Sequence, residues 1–276
     1  MDFPAPRIHI FQIYYSAATR ESLDPGFVPL DNVKNERPDW REYWPIRNFL
    51  LSNPPISGEY YGFLSPAFGV KTRLSSSAVI DFVRAQDGKA DVVLFSPFFD
   101  QIAFFLNQWE QGVMAHRTSS FAFEQSLALI APEFRMLDTV GCSRDSVYCN
   151  YFVAKGEFWT EWLERCERIF DCAERASTPL GHALSAGIEY KSQAAPTKAF
   201  IIERVASTLL ATQRRWIAKP YNPMLLPYSN SPVSALGAEL AALDALKIAY
   251  LSEPFQQYKQ AFFRLRAEFA KMQREP

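Results

Sequence analysis

The sequence predicts an α/β protein whose central sheet, mixed or parallel, is flanked by helices, with a helical last third. Two observations predict this class. Apolar runs of strand length alternate with helical patterns up to about residue 155, an order typical of parallel strands joined by helices. Amphipathic segments of helix length then fill the rest of the sequence. We expect a single domain over residues 1–276, with the α/β core at about 7–155 and the helical part at about 156–276.

Four apolar runs rich in Ile, Val, Tyr and Phe are predicted as strands. The third run, DVVLFS, is almost continuously apolar and is therefore expected to be buried on both faces of the sheet. The predicted strands are residues 7–15, 59–64, 91–96 and 147–154. Because ligands of open α/β sheets bind beyond the carboxyl ends of the strands, we expect a site at that edge.

Helical patterns occupy most of the sequence between and after these strands. The clearest is at residues 157–175, where Phe158, Trp162 and Cys166 fall on one face. The polar, proline-rich segment 16–41 is predicted as a long loop, which in a compact domain is usually functional. Further helices are predicted at residues 42–52, 78–85, 100–113, 121–130, 198–212, 232–251 and 254–273.

Composition excludes several classes of protein. Hydrophobic residues make up 48% of the chain and aromatic residues 15%, which is enough to bury a core and rules out global disorder. A net charge of −1 without a basic block argues against nucleic acid as a partner. No apolar run approaches the roughly 18 residues that a transmembrane helix needs. The first residues lack the features of a secretory signal, so we expect a cytoplasmic protein.

The sequence contains no recognisable zinc or phosphate-loop motif. None of its 4 cysteines is spaced as C-x-x-C, which fits free thiols in a reducing compartment. Its 3 histidines lie far apart, so no zinc site is predicted. Neither G-x-x-x-x-G-K nor G-x-G-x-x-G occurs, and nucleotide binding through a glycine-rich turn is therefore not expected.

The densest mixture of polar and aromatic side chains lies at residues 31–48. Planar polar groups beside aromatic faces suit the hydroxyls and C–H surfaces of a sugar. Within this segment, Asp39 and Glu42 are candidate catalytic carboxylates and Arg47 is a candidate substrate-binding cation. We expect the segment to line a sugar site, with Trp44 largely buried. The alternative is a solvated loop that its tryptophans anchor in the core.

Further candidates for substrate binding follow the strands. Tyr14 lies near the end of the first strand, and Lys71 and Arg73 follow the second, where a cation can meet a diphosphate. Asp100 opens the helix after the third strand, and Asn150 lies within the fourth. As alternatives, Lys71 is merely solvated, Asp100 is a helix N-cap, and Asn150 binds neighbouring backbone.

Glu203 and Arg204 are also candidate substrate-binding residues. Both fall in the middle of the apolar helical pattern at residues 198–212. A carboxylate that faces inward at such a place needs a partner. A structural ion pair between the two side chains is the alternative to a place in the site.

Four blocks of the sequence, in this order, resemble a bacterial family of glycosyltransferase-like proteins encoded with capsule and lipopolysaccharide genes. The first is EYWPIRNFLLSN followed by EYYGFLSP, and the second is DVVLFSPFFDQIAFFLNQWEQ. The third is NYFVAKGEFWTEWLERCERIF, and the last is an E-R pair inside AFIIERVASTLL. The resemblance extends over roughly residues 7–220, most of the chain.

This resemblance implies a Rossmann-like (GT-A-like) fold, a nucleotide sugar as ligand, and a role in surface polysaccharide synthesis, with peripheral contacts to polysaccharide-assembly proteins. The sequence departs from the family pattern at residues 65–68, where SPAF replaces a basic H-Y-R-R block. If that block holds the donor diphosphate, this chain uses Lys71 or Arg73 instead or has lost activity. The resemblance carries functional positions over to Glu42, Gly62, Asn150, Lys155, Glu203 and Arg204.

The leading hypothesis is a glycosyltransferase that moves a sugar from a nucleotide-diphosphate donor to a carbohydrate acceptor. Asp39 or Glu42 would take the proton of the acceptor hydroxyl. Lys71, Arg73 and Arg47 would stabilise the leaving diphosphate. The alternative is a non-catalytic carbohydrate- or nucleotide-binding scaffold protein derived from the same fold. A deep pocket at the strand ends, lined by both carboxylates and cations, would favour the enzyme.

A divalent metal is a further expectation of the glycosyltransferase hypothesis. Many sugar-nucleotide transferases hold such a metal with a D-x-D motif, and this motif is missing here. Carboxylates from separate loops can still ligate Mg²⁺ or Mn²⁺. The sequence therefore assigns no metal ligand.

Overall fold

The computed structural model describes residues 7–116, 119–175, 177–190 and 193–272. The strands within these ranges are β1 (Ile8–Tyr14), β2 (Val28–Asp31), β3 (Tyr60–Leu64), β4 (Val92–Leu94), β5 (Phe152–Lys155), β6 (Gly187–Tyr190), β7 (Gln193–Pro196) and β8 (Ala218–Pro220). Six of them form one sheet in the order β2-β1-β3-β5-β4-β8, while β6 and β7 pair as a separate hairpin.

Helices separate and cover these strands. In chain order they are α1 (Ala17–Glu21), α2 (Tyr43–Ser52), α3 (Phe68–Thr72), α4 (Ser76–Ala85), α5 (Phe99–Phe104), α6 (Gln108–Ala115), α7 (Ser120–Ile130), α8 (Gly156–Arg175), α9 (Pro179–Ser185), α10 (Thr197–Ile202), α11 (Val205–Thr212), α12 (Gly237–Ser252) and α13 (Gln256–Met272). No helix in the described part of the chain is both long enough and apolar enough to cross a bilayer.

The large sheet is mixed, with a single antiparallel strand. β5 runs antiparallel to its neighbours β3 and β4, and the other neighbouring strands pair in parallel. The carboxyl ends of β1, β3 and β4 therefore share one edge with the amino end of β5. All four predicted strands contribute to this sheet, and the predicted α/β class is confirmed.

The structure corrects the extent of the predicted sheet. Residues 147–151, predicted as the start of the fourth strand, form turns and irregular backbone before β5. The two edge strands, β2 and β8, were not predicted as strands. Both are short and contain proline, and their positions are partly or fully exposed, so they lack the buried apolar run that marks the central strands.

Apolar side chains pack on both faces of the sheet. On one face α3 and α4 pack against it, with Phe68, Val79 and Val83 buried. The opposite face carries a larger core, to which α2, α7, α8, α10 and α11 contribute. The α12–α13 hairpin lies against α5 and has its own apolar cluster around Leu243 and Phe262. The helical last third therefore covers the α/β core and the α5 region.

Two predicted helices are each broken into two. The pattern at residues 100–113 is divided into α5 and α6, because Asn107 caps α6 by accepting hydrogen bonds from Trp109 N and Glu110 N. The pattern at 198–212 is divided into α10 and α11, with Glu203 and Arg204 between them. The side chain of Glu203, discussed below, therefore stands at this second break.

Candidate functional site

A cavity of about 480 Å³ opens at the edge of the sheet where β3 and β4 end and β5 begins. Its position agrees with the rule that ligands bind beyond the carboxyl ends of parallel strands. Segments after β3 and β4, before β5 and between α10 and α11 all reach it. Its lining residues are Lys71, Phe98, Gln101, Gln108, Gln111, His116, Val147, Tyr148, Cys149, Phe200, Glu203, Arg204, Tyr228, Ser229, Asn230 and Ser231.

Glu203 supplies a carboxylate to this cavity. It stands at the break between α10 and α11, and its carboxylate forms no hydrogen bond or ion pair with any residue that the structure describes. Burial raises the pKa of Glu203 above its ordinary value, an effect that Lys71 and Arg204 oppose and Glu42 reinforces. A carboxylate with a raised pKa and no protein partner is suited to accept a proton from a ligand.

Lys71 supplies the cation. It lies on α3 with its Nζ 3.4 Å from the Sγ of Cys149 and 5.8 Å from the centre of the Tyr151 ring. Burial acts to lower the pKa of Lys71, but Cys149, Tyr151 and Glu203 outweigh that effect and raise it. The ammonium group therefore stays charged. Burial, with the Glu203 charge, raises the pKa of Cys149 to about 12, so this thiol stays protonated at neutral pH.

Arg204 forms part of the cavity wall, and three of the five N–H groups of its guanidinium donate to the protein. Its Nε donates to the carbonyl of Gln108 at 2.9 Å and its Nη2 to Oε1 of Gln111 at 2.7 Å, while Nη1 donates to the carbonyl of Phe200. The structural ion pair between Glu203 and Arg204 is not formed. Arg204 thus holds the wall together, and Glu203 is left to the cavity.

Aromatic rings give the cavity its apolar surface. Tyr148, Phe200 and Tyr228 contribute rings, and His116 lies with its ring centre 4.6 Å from that of Phe200. Burial, with the charge of Arg204, lowers the pKa of His116 to about 4, so its imidazole is neutral at neutral pH. Rings beside planar amides are the mixture that carbohydrate sites use.

Three non-glycine residues around the cavity have left-handed backbone. Phe98 has φ 68°, Cys149 has φ 60° and Asn150 has φ 55°. Such conformations cost on the order of 1–3 kcal/mol each, and they cluster at functional sites. Asn150 is also buried, and its Oδ1 has no hydrogen-bond partner among the described residues. The turn that leads into β5 therefore shows two features of a site rather than of simple packing.

Asp100 holds one wall of the cavity in place. It is fully buried, and its carboxylate accepts hydrogen bonds from Ser229 N at 2.8 Å, from Ser231 Oγ at 2.9 Å and from Ser234 Oγ at 3.0 Å. Ser229 Oγ is a further donor. Because its carboxylate is taken up by these serines, the predicted role of Asp100 in substrate binding is corrected. The alternative, that Asp100 is a helix N-cap, is also corrected, because Phe98 occupies the N-cap position of α5. Asp100 acts on the cavity through the loop that carries Ser229, Ser231 and Ser234, here called the serine loop, and through Gln101, whose Nε2 donates to Asp100 Oδ2 at 3.0 Å.

The predicted sugar site at residues 31–48 does not lie at this cavity. Asp39, in a short 3₁₀ turn, pairs with Arg37 at 2.9 Å and with Lys198 at 2.5 Å. Arg47 pairs with Glu167 of α8 at 2.7 Å. These two candidates are therefore corrected: their charges are neutralised where the segment packs against α8 and α10.

Within the same segment, Trp44 and Glu42 differ from Asp39 and Arg47. Trp44 is only partly buried, with its ring centre 6.3 Å from that of Phe170, rather than largely buried as expected. Glu42 does not line the cavity, but its charge contributes to the raised pKa values of Glu203 and Cys149. Of the two predicted catalytic carboxylates, only Glu42 influences the cavity.

The other predicted residues lie outside the cavity lining. Tyr14 is at the carboxyl end of β1, where a hydrogen bond with Asp31 raises the pKa of its hydroxyl. Arg73 is exposed and caps α3 with φ 59°. Lys155 pairs with Asp91 at 2.9 Å at the far end of β5, on the opposite edge of the sheet, and its predicted place in the site is corrected.

Several lining residues were not predicted from the sequence. Gln108, Gln111 and His116 come from α6 and its end, and Tyr148 precedes β5. Nothing in their spacing distinguishes them from ordinary helix or turn residues. Residues 229–231 could have been found from the sequence, because the polar, proline-rich stretch around them is typical of a long loop, and long loops often carry functional residues.

A metal centre or a similarity to known proteins could also indicate the function of this chain. Among residues 7–116, 119–175, 177–190 and 193–272, no three His, Cys, Asp or Glu side chains are grouped so that they could hold a metal ion. Comparison of the chain with family models, with curated proteins and with solved structures finds no match. The function therefore has to be argued from the cavity itself.

Proposed function

We propose that this protein is a glycosyltransferase that moves a sugar from a nucleotide-diphosphate donor to a carbohydrate acceptor at the cavity. The observation that carries the proposal is that a charged Lys71 and a Glu203 carboxylate with no partner among the described residues line one cavity at the carboxyl edge of the sheet. Aromatic and amide side chains around them suit a polyhydroxylated ligand. The volume of about 480 Å³ is within the range of small-molecule sites.

In the proposed reaction, the acceptor hydroxyl oxygen bonds to the anomeric carbon of the donor sugar. The carboxylate of Glu203 takes the hydroxyl proton as this bond forms. The bond between the anomeric carbon and the diphosphate oxygen breaks, and its electron pair stays on the diphosphate. Lys71 stabilises the negative charge that develops there. This assignment gives Glu203 the role that the sequence suggested for Asp39 or Glu42.

The fold and the biological setting belong to the same proposal. A parallel sheet with one antiparallel strand and helices on both faces is compatible with a Rossmann-like (GT-A-like) transferase. The motif resemblance supports a setting in bacterial surface polysaccharide synthesis. Any Mg²⁺ or Mn²⁺ would then be held chiefly by the donor diphosphate.

Calorimetry and a transfer assay test the proposal. Nucleotide diphosphates and their sugars should bind the native protein, and Lys71→Met should weaken that binding, because it removes the cation while keeping a side chain of similar length. Glu203→Gln should keep binding but slow transfer on the order of 10²- to 10⁴-fold, the usual effect of losing a general base. Transfer should also fall as pH drops through a pKa above the ordinary glutamate value of about 4.3.

Two exposed residues provide matched controls. Glu164→Gln on α8 and Lys89→Met after α4 make the same chemical changes away from the cavity and should leave binding and transfer unchanged. Binding of nucleotide sugars without any transfer would favour the non-catalytic scaffold. If no nucleotide diphosphate or nucleotide sugar gave heat, the proposed donor class would be wrong.

A further inference from the structure

We propose that His116 positions the carbohydrate acceptor by holding one of its hydroxyl groups on the α6 side of the cavity. This inference rests on the proposed function, and it adds a positioning residue to the reaction assigned to Glu203 and Lys71. It comes from how the ring of His116 is held, from its unused nitrogen atoms, and from its place relative to the reacting groups.

Aromatic neighbours hold the ring of His116 in place. This residue follows the last residue of α6, is partly buried and lines the cavity. Its ring centre lies 4.6 Å from that of Phe200 and 6.1 Å from that of Phe123, and the planes of the His116 and Phe123 rings differ by 17°. α6 is packed closely on α7, since a Cβ atom at Gly112 would clash with the Phe123 ring. The imidazole is therefore fixed in the wall of the cavity.

Both ring nitrogens of His116 are left for a ligand. Neither Nδ1 nor Nε2 forms a hydrogen bond with any residue that the structure describes, and the described residues enclose neither atom completely. A neutral imidazole offers one N–H donor and one acceptor nitrogen. A sugar hydroxyl donates one hydrogen bond and also accepts, so it matches such a group, whereas the oxygens of a diphosphate only accept.

His116 carries no charge at neutral pH. Burial, together with the positive charge of Arg204, lowers the pKa of its imidazole to about 4. It therefore adds nothing to the positive charge that Lys71 and Arg204 bring to the cavity. With so low a pKa it is also a weaker proton acceptor than Glu203, whose pKa is raised above the ordinary value. Binding of a neutral hydroxyl, without proton transfer, is the role that remains.

The place of His116 in the cavity favours the acceptor over the donor. Lys71 comes from α3, and the proposed function assigns it to the diphosphate. Glu203 stands at the junction of α10 and α11, followed by Arg204, whose Nη2 donates to Oε1 of Gln111 on α6 at 2.7 Å. The wall formed by α6 thus adjoins the junction that carries Glu203. An acceptor whose hydroxyl contacts Glu203 and whose ring extends away from Lys71 would lie against α6 and meet His116.

Steady-state kinetics on the full chain test the inference. The donors are UDP-glucose, UDP-galactose and GDP-mannose, and the acceptors are the α- and β-p-nitrophenyl glycosides of glucose, galactose and mannose. His116→Phe keeps a ring of similar size but removes both nitrogens. The KM of the acceptor should rise about 5- to 100-fold, because its hydroxyl is then left unpaired against a phenyl ring. The kcat and the KM of the donor should stay as in the native protein.

Two further variants separate hydrogen bonding from packing. His116→Gln supplies a donor and an acceptor at the reach of the imidazole, and should return the KM of the acceptor towards the native value. His182→Phe makes the same change as His116→Phe at an exposed position on α9, outside the cavity lining, and should leave every constant unchanged. Calorimetry with UDP and GDP should give the native affinities for all three variants, which shows that the donor site is intact.

Several results would overturn the inference. One is an unchanged acceptor KM in His116→Phe, and another is weaker binding of UDP or GDP by that variant, which would assign His116 to the donor. A His116→Gln protein that is no better than His116→Phe would rule out hydrogen bonding as the role of this residue. In each case transfer by the native protein leaves the proposed function intact. Donors that bind without transfer to any of these glycosides would instead remove the proposed function, and the inference with it.

Discussion

At the residue scale, the buried charged side chains around the cavity differ in how many hydrogen bonds the protein makes to them. Glu203 and Lys71 are left without strong protein partners, whereas Asp100 and Arg204 are surrounded by them. A buried charge that is fully hydrogen-bonded fixes the structure around it, while one that is not is available to a ligand. The same residue types therefore have opposite roles within one wall.

Asp100 gives a prediction at this scale. Asp100→Ala removes the common acceptor of Ser229, Ser231 and Ser234, and leaves their donors unpaired in a buried place. Because one hydrogen bond to a charged group is worth about 1.5–3 kcal/mol, we expect the free energy of unfolding to fall by at least that amount. Urea unfolding measures it. Binding at the cavity should weaken as well, since the loop loses its anchor.

The control for Asp100 is another aspartate on a helix. Asp81→Ala on α4 removes only a 3.6 Å contact with Arg84 between exposed side chains. Its effect should stay within about 0.5 kcal/mol, as for most surface substitutions. Equal destabilisation by the two variants would show that the serine loop does not depend on Asp100.

At the scale of elements, short helices and their breaks bring the cavity together. α3, α5 and α6 each follow a turn, and Glu203 and Arg204 stand at the junction of α10 and α11. Close packing between these helices is visible at Gly112 of α6. A Cβ atom built there would lie 2.7 Å from Arg204 Nε and closer still to the Phe123 ring.

Two glycines in helices are therefore expected to respond oppositely to alanine. Gly112→Ala should destabilise by about 1–3 kcal/mol, the usual cost of overpacking, because Phe123 and Arg204 must move. Gly69→Ala on α3 meets no atom within 4 Å and should stabilise by up to about 1 kcal/mol through helix propensity. Thermal unfolding of both variants measures the two signs. A neutral or stabilising Gly112→Ala would mean that α6 and α7 are less closely packed than described.

At the scale of the whole molecule, the four cysteines, all of which are free thiols, differ in how deeply they are buried. Cys142 and Cys166 are fully buried, and burial raises the pKa of both, so neither should react without unfolding. Cys149 is only partly buried but has a pKa of about 12. Cys172 is partly exposed and lies near the end of α8.

Thiol labelling of the native protein should therefore show one fast-reacting cysteine. Cys172→Ser should abolish that phase, and the other thiols should react only as the protein opens, faster as urea is added. Cys142→Ser is the comparison, and should leave the fast phase unchanged. Rapid labelling of Cys166 in the native protein would contradict the tight packing described for α8.

The sequence by itself determined the class of the fold and most of its regular elements. The central strands β1, β3 and β4 and the helices α8 and α13 were predicted because an apolar run or a helical period reports local burial, which their own residues encode. Lys71, Glu203 and Arg204 were also named from the sequence, and they meet at one cavity.

The tertiary structure alone decided how those elements combine. The direction of β5 and the edge strands β2 and β8 depend on contacts between residues far apart in the chain, which no local pattern records. For the same reason Asp39 looked like a site residue in the sequence, although Lys198, 159 positions away, neutralises its charge. A side chain becomes available to a ligand only when no distant partner takes its hydrogen bonds, and only the folded chain determines those partners.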